Sequence, residues 1–235
     1  MADEFEFRRN LDKLGKPINR KEWGMAPQIV NAYYNPLLNE VVFPAGILQP
    51  PFFDFTIDDA VNYGAMGAVI GHELLHGFDD QGRKFDAQGS MTNWWTQEDE
   101  EKFTERSQRL IDQFNSYVVA EDTHVNGELT LGENIADLGG LTMAYYALQL
   151  ALGDSGRERI DGFTPEQRFF LSWAQVWRRN VREEALKLQV NTDPHAPARY
   201  RINGPTANMP EFYEAFGCED GDGMVNPTNT RVTIW

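Results

Sequence analysis

The chain has 235 residues, 41% of them hydrophobic and 12% aromatic, enough for one sizeable core or two small ones. Its formal net charge of −15 repels phosphate backbones and argues against nucleic acid as a partner. No run of about 18 apolar residues is present to span a membrane, and Met1-Ala2-Asp3-Glu4-Phe5 lacks the basic-then-apolar order of a signal peptide.

In chain order, residues 3 to 14 mix apolar positions with charges, and Gly15-Lys16-Pro17 ends that stretch. Ile29 to Tyr34 and Glu40 to Phe43 are β-rich and separated by Asn35-Pro36 and Asn39, so they read as a short hairpin. Pro44, Pro50 and Pro51 enforce an irregular segment. Asp58 or Asp59 is a suitable N-cap for a helix through Asn62 to Phe78. That helix is apolar nearly all round and reads as central and buried. Gly82 and Gly89 mark a loop. A long amphipathic helix follows to about Val119, with Thr96 as N-cap and Asp99 at the capping-box position. Glu133 to Leu152 is another helix, closed by Gly153. Thr164-Pro165-Glu166 caps and starts a third long one through Val190. The tail from Asn191, rich in Pro, Gly and Asn, is expected to loop over the functional groove. There is no internal repeat and no low-complexity segment. The pattern predicts a mainly α fold with a small β-hairpin. Cys218 is the only cysteine, so no internal disulfide forms, and it reads as a buried small apolar residue. His124, in a polar segment with no partner motif, reads as surface.

The strongest chemical signal is His72-Glu73-Leu74-Leu75-His76. On a helix, His72 and His76 project from one face, one turn apart, and can hold one zinc ion. Glu73 leans toward the open side of the metal, where it can deprotonate a water. A catalytic zinc needs a third protein ligand. Glu133 and Asp137, four apart on a later helix, supply a carboxylate for the metal and one for the second ring nitrogen of a ligand histidine. Alone, such a pair is more often a solvated acidic stripe, and its place downstream of the two histidines in a small, apolar segment favours the ligand reading. The hairpin offers an edge to which an extended peptide can add as a strand, and the Asn31 amide both donates and accepts; a plain turn asparagine is the alternative. His195 lies in Asp193-Pro194-His195-Ala196-Pro197, where two prolines stiffen the loop. It can stabilise a developing oxyanion or be an exposed loop histidine. Arg201 reads equally as a surface salt-bridge residue.

The run HELLHGFDDQGRKFD from His72, followed by GENIADLGGL from Gly132, resembles the M13 family of zinc endopeptidases, the neprilysin family. Three further stretches agree in order and spacing: Val30 to Tyr34, Val42 to Phe53, and Thr192 to Pro197 with Arg201. The resemblance runs over nearly the whole chain and implies a thermolysin-like (gluzincin) catalytic domain over residues 1–235. It implies one zinc per chain, held by His72, His76 and Glu133, with Glu73 as general base. Asp137 and Asp79 would hold the ligand imidazoles. Asn31 and Ala32 would bond the substrate backbone, His195 the oxyanion, and Arg201 a substrate carbonyl. Ile47, Phe52, Val69, Val176 and Trp177 would wall an apolar pocket, or simply be core residues. The reaction implied is hydrolysis of oligopeptides on the amino side of bulky hydrophobic residues. The wording DDQGRKFD looks bacterial, and an extracytoplasmic location is implied. Mammalian members carry several disulfides, which this sequence cannot form. Family members are also far longer, with an N-terminal helical region that encloses the site. That region is not recognised here. A shortened form, a naturally short protein, and a half that needs another polypeptide all fit. Without a roof the chain is expected to bind zinc and peptide with weak or no turnover, to accept larger substrates, and to self-associate.

Overall fold

The computed structural model describes residues 2–153 and 156–234. Among these residues the fold is mainly helical, and the sheets are small and antiparallel. Helix α1 (Ala2–Leu11) buries none of its residues. Strands β1 (Tyr33–Asn35) and β2 (Glu40–Val42) form the expected hairpin, shorter than the β-rich sequence, in the register Tyr33↔Val42, Tyr34↔Val41, Asn35↔Glu40. Asn31 and Ala32 precede β1 and carry no strand pairing.

Of the two possible caps, Asp58 starts the central helix, accepting the Ala60 N–H at 3.1 Å. The helix comprises α2 (Asp59–Asn62), a π turn (Tyr63–Gly67) and α3 (Ala68–Leu75). It ends before the predicted Phe78, with His76 as its C-cap. Helix α4 (Gln97–Asn115) begins with the Thr96–Asp99 capping box. It stops short of Val119 because the next residues pair as a small hairpin, β3 (Val118–Ala120) with β4 (Thr123–His124). His124 is exposed, as expected.

Helix α5 (Leu131–Leu152) lies across α3 and carries Ile135, Leu138, Leu141, Ala144 and Leu148 into the main core. The third long helix expected from the sequence is two. Helix α6 (Pro165–Val176) starts at the Thr164 capping box, stops with Trp177, and is followed by α7 (Glu183–Thr192). Nothing between residues 177 and 182 is a Gly or Pro; the break is a tertiary effect that turns Trp177 into the cleft. The tail is likewise not all loop. It forms α8 (Ala198–Thr206) and α9 (Pro210–Phe216). Gly204 and Pro205 are tolerated in the last turn of α8, where a side chain at Gly204 would strike the Phe114 ring. Cys218, expected buried, is only half-buried, just beyond the left-handed Gly217 that ends α9. No helix among the described residues is long and apolar enough to cross a membrane.

Candidate metal centre

The crossing of α3 and α5 sets the site. Gly71 and Gly140 meet there, and a Cβ on Gly140 would lie 2.3 Å from the His72 nitrogen. Only this close approach lets the His72 ring reach across to Glu133 and Asp137 on α5. His72 Nδ1 lies 2.8 Å from Asp137 Oδ1, and His76 Nδ1 lies 2.7 Å from Asp79 Oδ2. A carboxylate only accepts, so each Nδ1 carries a proton, which leaves each Nε2 as the ring atom that can offer a lone pair to a metal. Those two Nε2 atoms are 3.0 Å apart. Glu133 adds Oε2 at 3.2 Å from His72 Nε2 and Oε1 at 3.7 Å from His76 Nε2. Its Oε2 also lies 3.1 Å from His195 Nε2, yet it is buried with no aligned hydrogen-bond donor.

With both rings deprotonated at Nε2, three electron-pair donors converging in a buried place repel one another unless a cation sits among them. Donors on a tetrahedral zinc lie about 3.3 Å apart, close to the spacings found. The donor set, two imidazoles and a carboxylate with a side left open to a cavity, fits a catalytic zinc. Among the described residues His72, His76 and Glu133 are the group that could hold a metal, with ligand atoms within 4.8 Å of one another.

A cavity of about 410 Å³ opens beside these atoms. Glu73, buried on α3, faces it, together with Asn31, Ala32, Ile47, Phe52, Val69, Trp177, His195 and Arg201. The fold thus collects at one cavity residues spread along the sequence from Asn31 to Arg201. Val176 alone is not brought there; it packs against the main core. Ala32, Ile47 and Val69 form a small apolar cluster of their own with Met66, and Phe43 and Phe52 pack against it.

Residues 31–232 match the family model described as peptidase family M13. The chain belongs to peptidase family M13. It is 47% identical to the endothelin-converting enzyme homolog of Locusta migratoria, covering all of this chain and 32% of that protein. Neprilysin-3 of Drosophila melanogaster is 46% identical over 98% of this chain and 30% of its own length. Among solved structures, the inhibitor complex of Mycobacterium tuberculosis zinc metalloprotease ZMP1 superposes with a TM-score of 0.95 at 47% identity, over 98% of this chain and 36% of that one. This M13 chain therefore spans about a third of the length of these relatives.

Electrostatics in the M13 site follow from its burial. Burial pushes Glu73 up, and Glu133 adds to this, while the His72 and His76 rings oppose it; the net direction is up. Burial also works against an ionised Glu133, but its contacts with His195 and His72 outweigh this and hold the carboxyl far below the usual range. Burial would discharge Asp137; the Arg201 guanidinium, with Nε and Nη2 each 2.7 Å away, keeps it ionised and low.

Several site residues escape a reading of the sequence. Asp193 Oδ1 accepts from the His195 backbone N–H at 2.9 Å and lies 2.8 Å from its Nδ1. The Asp-x-His spacing could have shown this, since Asp side chains commonly bond the backbone two residues on. Tyr33, Tyr34, Gln81 and Trp173 also line the cleft. Tyr33, Tyr34 and Gln81 fall within the stretches that carry the resemblance but are assigned no role there, and Trp173 has no local mark at all; only the tertiary fold brings the four to the cleft. Asp79 does more than expected: its Oδ1 also accepts the N–H groups of Gln81 and Gly82, at 2.8 and 2.7 Å, and so ties the following loop to the site.

Proposed function

We propose that this chain is the zinc-binding part of an M13 endopeptidase that hydrolyses oligopeptides on the amino side of bulky hydrophobic residues. The observation that carries the reading is the convergence of His72, His76 and Glu133, each imidazole backed by a carboxylate, with Glu73 facing the same cleft. One zinc per chain would be held by those three residues. When bound, zinc supplies a Lewis acid that polarises the scissile carbonyl and makes a nearby water acidic enough to lose its proton at neutral pH.

The chain's own groups do the rest. Glu73 takes the proton from the water and passes it to the leaving amine. The Nδ1 proton of His195 is directed at Asp193, so Nε2 donates to a developing oxyanion only from the imidazolium. In the metal-free site burial pulls the His195 pKa down, but Glu133 and Asp193 together outweigh it and raise it. The exposed amide of Asn31 and the backbone at Ala32 bind the extended substrate, and Arg201 binds a substrate carbonyl. Ile47, Phe52, Val69 and Trp177 form the apolar wall that selects the side chain after the scissile bond. As the resemblance implies, an extracytoplasmic location goes with this reading; cell fractionation checks it.

Glu73→Gln tests the assignment. The variant keeps its zinc but loses about three or more orders of magnitude in turnover. His76→Ala loses both metal and activity. A Gln variant that hydrolyses peptides near the parent rate removes Glu73 from the mechanism.

A second reading is favoured by exposed apolar surface on α1 and on the far side of the α3–α5 pair, at Leu74, Phe78, Met143 and Tyr146. In it the chain binds zinc and peptides, turns over weakly by itself, and associates through those faces with a second copy or with an N-terminal half.

A further inference from the structure

Arg201 enters the cleft from α8 almost fully buried. Nε and Nη2 are both engaged by Asp137, so Nη1 is the corner that bonds no group among the described residues. A two-point grip fixes one edge of the guanidinium, but its plane can still tilt about that edge. The face is covered by Trp177, with Arg201 Cζ 3.8 Å from the ring centroid. Indole is the best of the aromatic rings for such a cation, and the attraction grows where water is excluded. Trp177 takes this place because α6 stops there, with φ −96° and ψ −1°. One turn earlier, Trp173 donates its Nε1 hydrogen to the Arg201 carbonyl oxygen at 3.1 Å. The end of α6 therefore holds both the main chain and the cation of Arg201.

We propose that Trp177 is a positioning residue. By stacking on the Arg201 guanidinium it fixes the plane in which Nη1 faces a substrate carbonyl while Nε and Nη2 hold Asp137 against His72. This rests on the peptidase reading of the cleft and goes beyond an apolar wall. A wall favours the side chains that fill it. A platform acts through Arg201 on every substrate alike, and on the metal ligand through Asp137.

Trp177→Leu keeps apolar bulk and removes the π face; Trp177→Phe restores a face. The probes are three peptides identical except for Ala, Leu or Phe after the scissile bond, and a zinc chelator. In the Leu variant KM rises about tenfold for all three peptides, with a smaller change in kcat. The chelator also strips its zinc at an about tenfold lower concentration. The Phe variant recovers most of both losses. A loss that grows from the Ala to the Phe peptide, with zinc retention equal to the parent's, makes Trp177 a wall alone and overturns the proposal. If the parent hydrolyses none of the peptides, the peptidase reading fails, and the chelator still decides the positioning role: unchanged zinc retention in Trp177→Leu overturns it. Circular dichroism checks that each variant folds, and Trp177→Met replaces the Leu variant if that one does not.

Discussion

At the scale of single residues, the site is a set of groups each held by a second one. His72 is held by Asp137, which is held by Arg201; His76 is held by Asp79; His195 by Asp193. These pairings give a pH dependence in the metal-free chain. Burial alone would lower the His72 pKa, but Asp137 and Glu133 outweigh it and raise it from the usual 6.5 to about 9. Protonated His72 therefore stabilises the metal-free fold. That contribution is complete below pH 6.5 and is lost as pH rises through about 9. Denaturant unfolding of chelator-treated protein should show stability falling across this window, and a flat profile would disprove the pairing. Much of this layer is legible in the sequence. Four-residue spacing on a helix fixes which side chains share a face, so spacing alone pairs His72 with His76, and Glu133 with Asp137. The stacking of Trp177 on Arg201 is not legible in that way, because it joins residues on different helices that only the fold brings together.

At the scale of elements, the deciding contact is the glycine crossing of α3 and α5. Gly140→Ala would place a methyl group 2.3 Å from the His72 nitrogen and 2.7 Å from its Cα, both backbone atoms of α3. The helices must then separate, which carries His72 and His76, the proposed zinc ligands, away from Glu133 on α5. The expected outcome is a loss of about 2–3 kcal/mol in stability together with weaker zinc retention. Chemical unfolding and metal analysis of the purified variant check it, and parent-like values in both would show that the crossing does not set the ligand spacing. Helix starts are well marked in the sequence, because Thr96 and Thr164 carry capping boxes that act locally. Helix ends are not. The stop at Val176 has no local breaker, and the short β3–β4 hairpin lies where the helical pattern runs on toward Val119. The helices of the tail are hidden by Gly204 and Pro205, which usually argue against helix but here sit in a closely packed last turn.

At the scale of the whole molecule, a formal charge of −15 opposes association while exposed apolar side chains favour it. Phe7 and Leu14 near the N-terminus are 64% and 75% exposed, and Leu74 on α3 and Phe78 just beyond its end are exposed as well. Because each large side chain withdrawn from water contributes on the order of 1.5–3 kcal/mol, a few of them offset that repulsion at moderate salt, where it is screened. Sedimentation at micromolar concentration is expected to show self-association that strengthens with salt; a strict monomer at all salt concentrations would contradict it. Under the proposed function, His72, His76 and Glu133 hold a zinc used to cut peptides. Its most direct test is cleavage of a quenched peptide library by the zinc-loaded chain, before and after chelator and again after zinc is returned. The expected result is cleavage on the amino side of bulky hydrophobic residues, lost with chelator and recovered with zinc. Cleavage that persists in the stripped protein, or a chain that takes up no zinc, would contradict it.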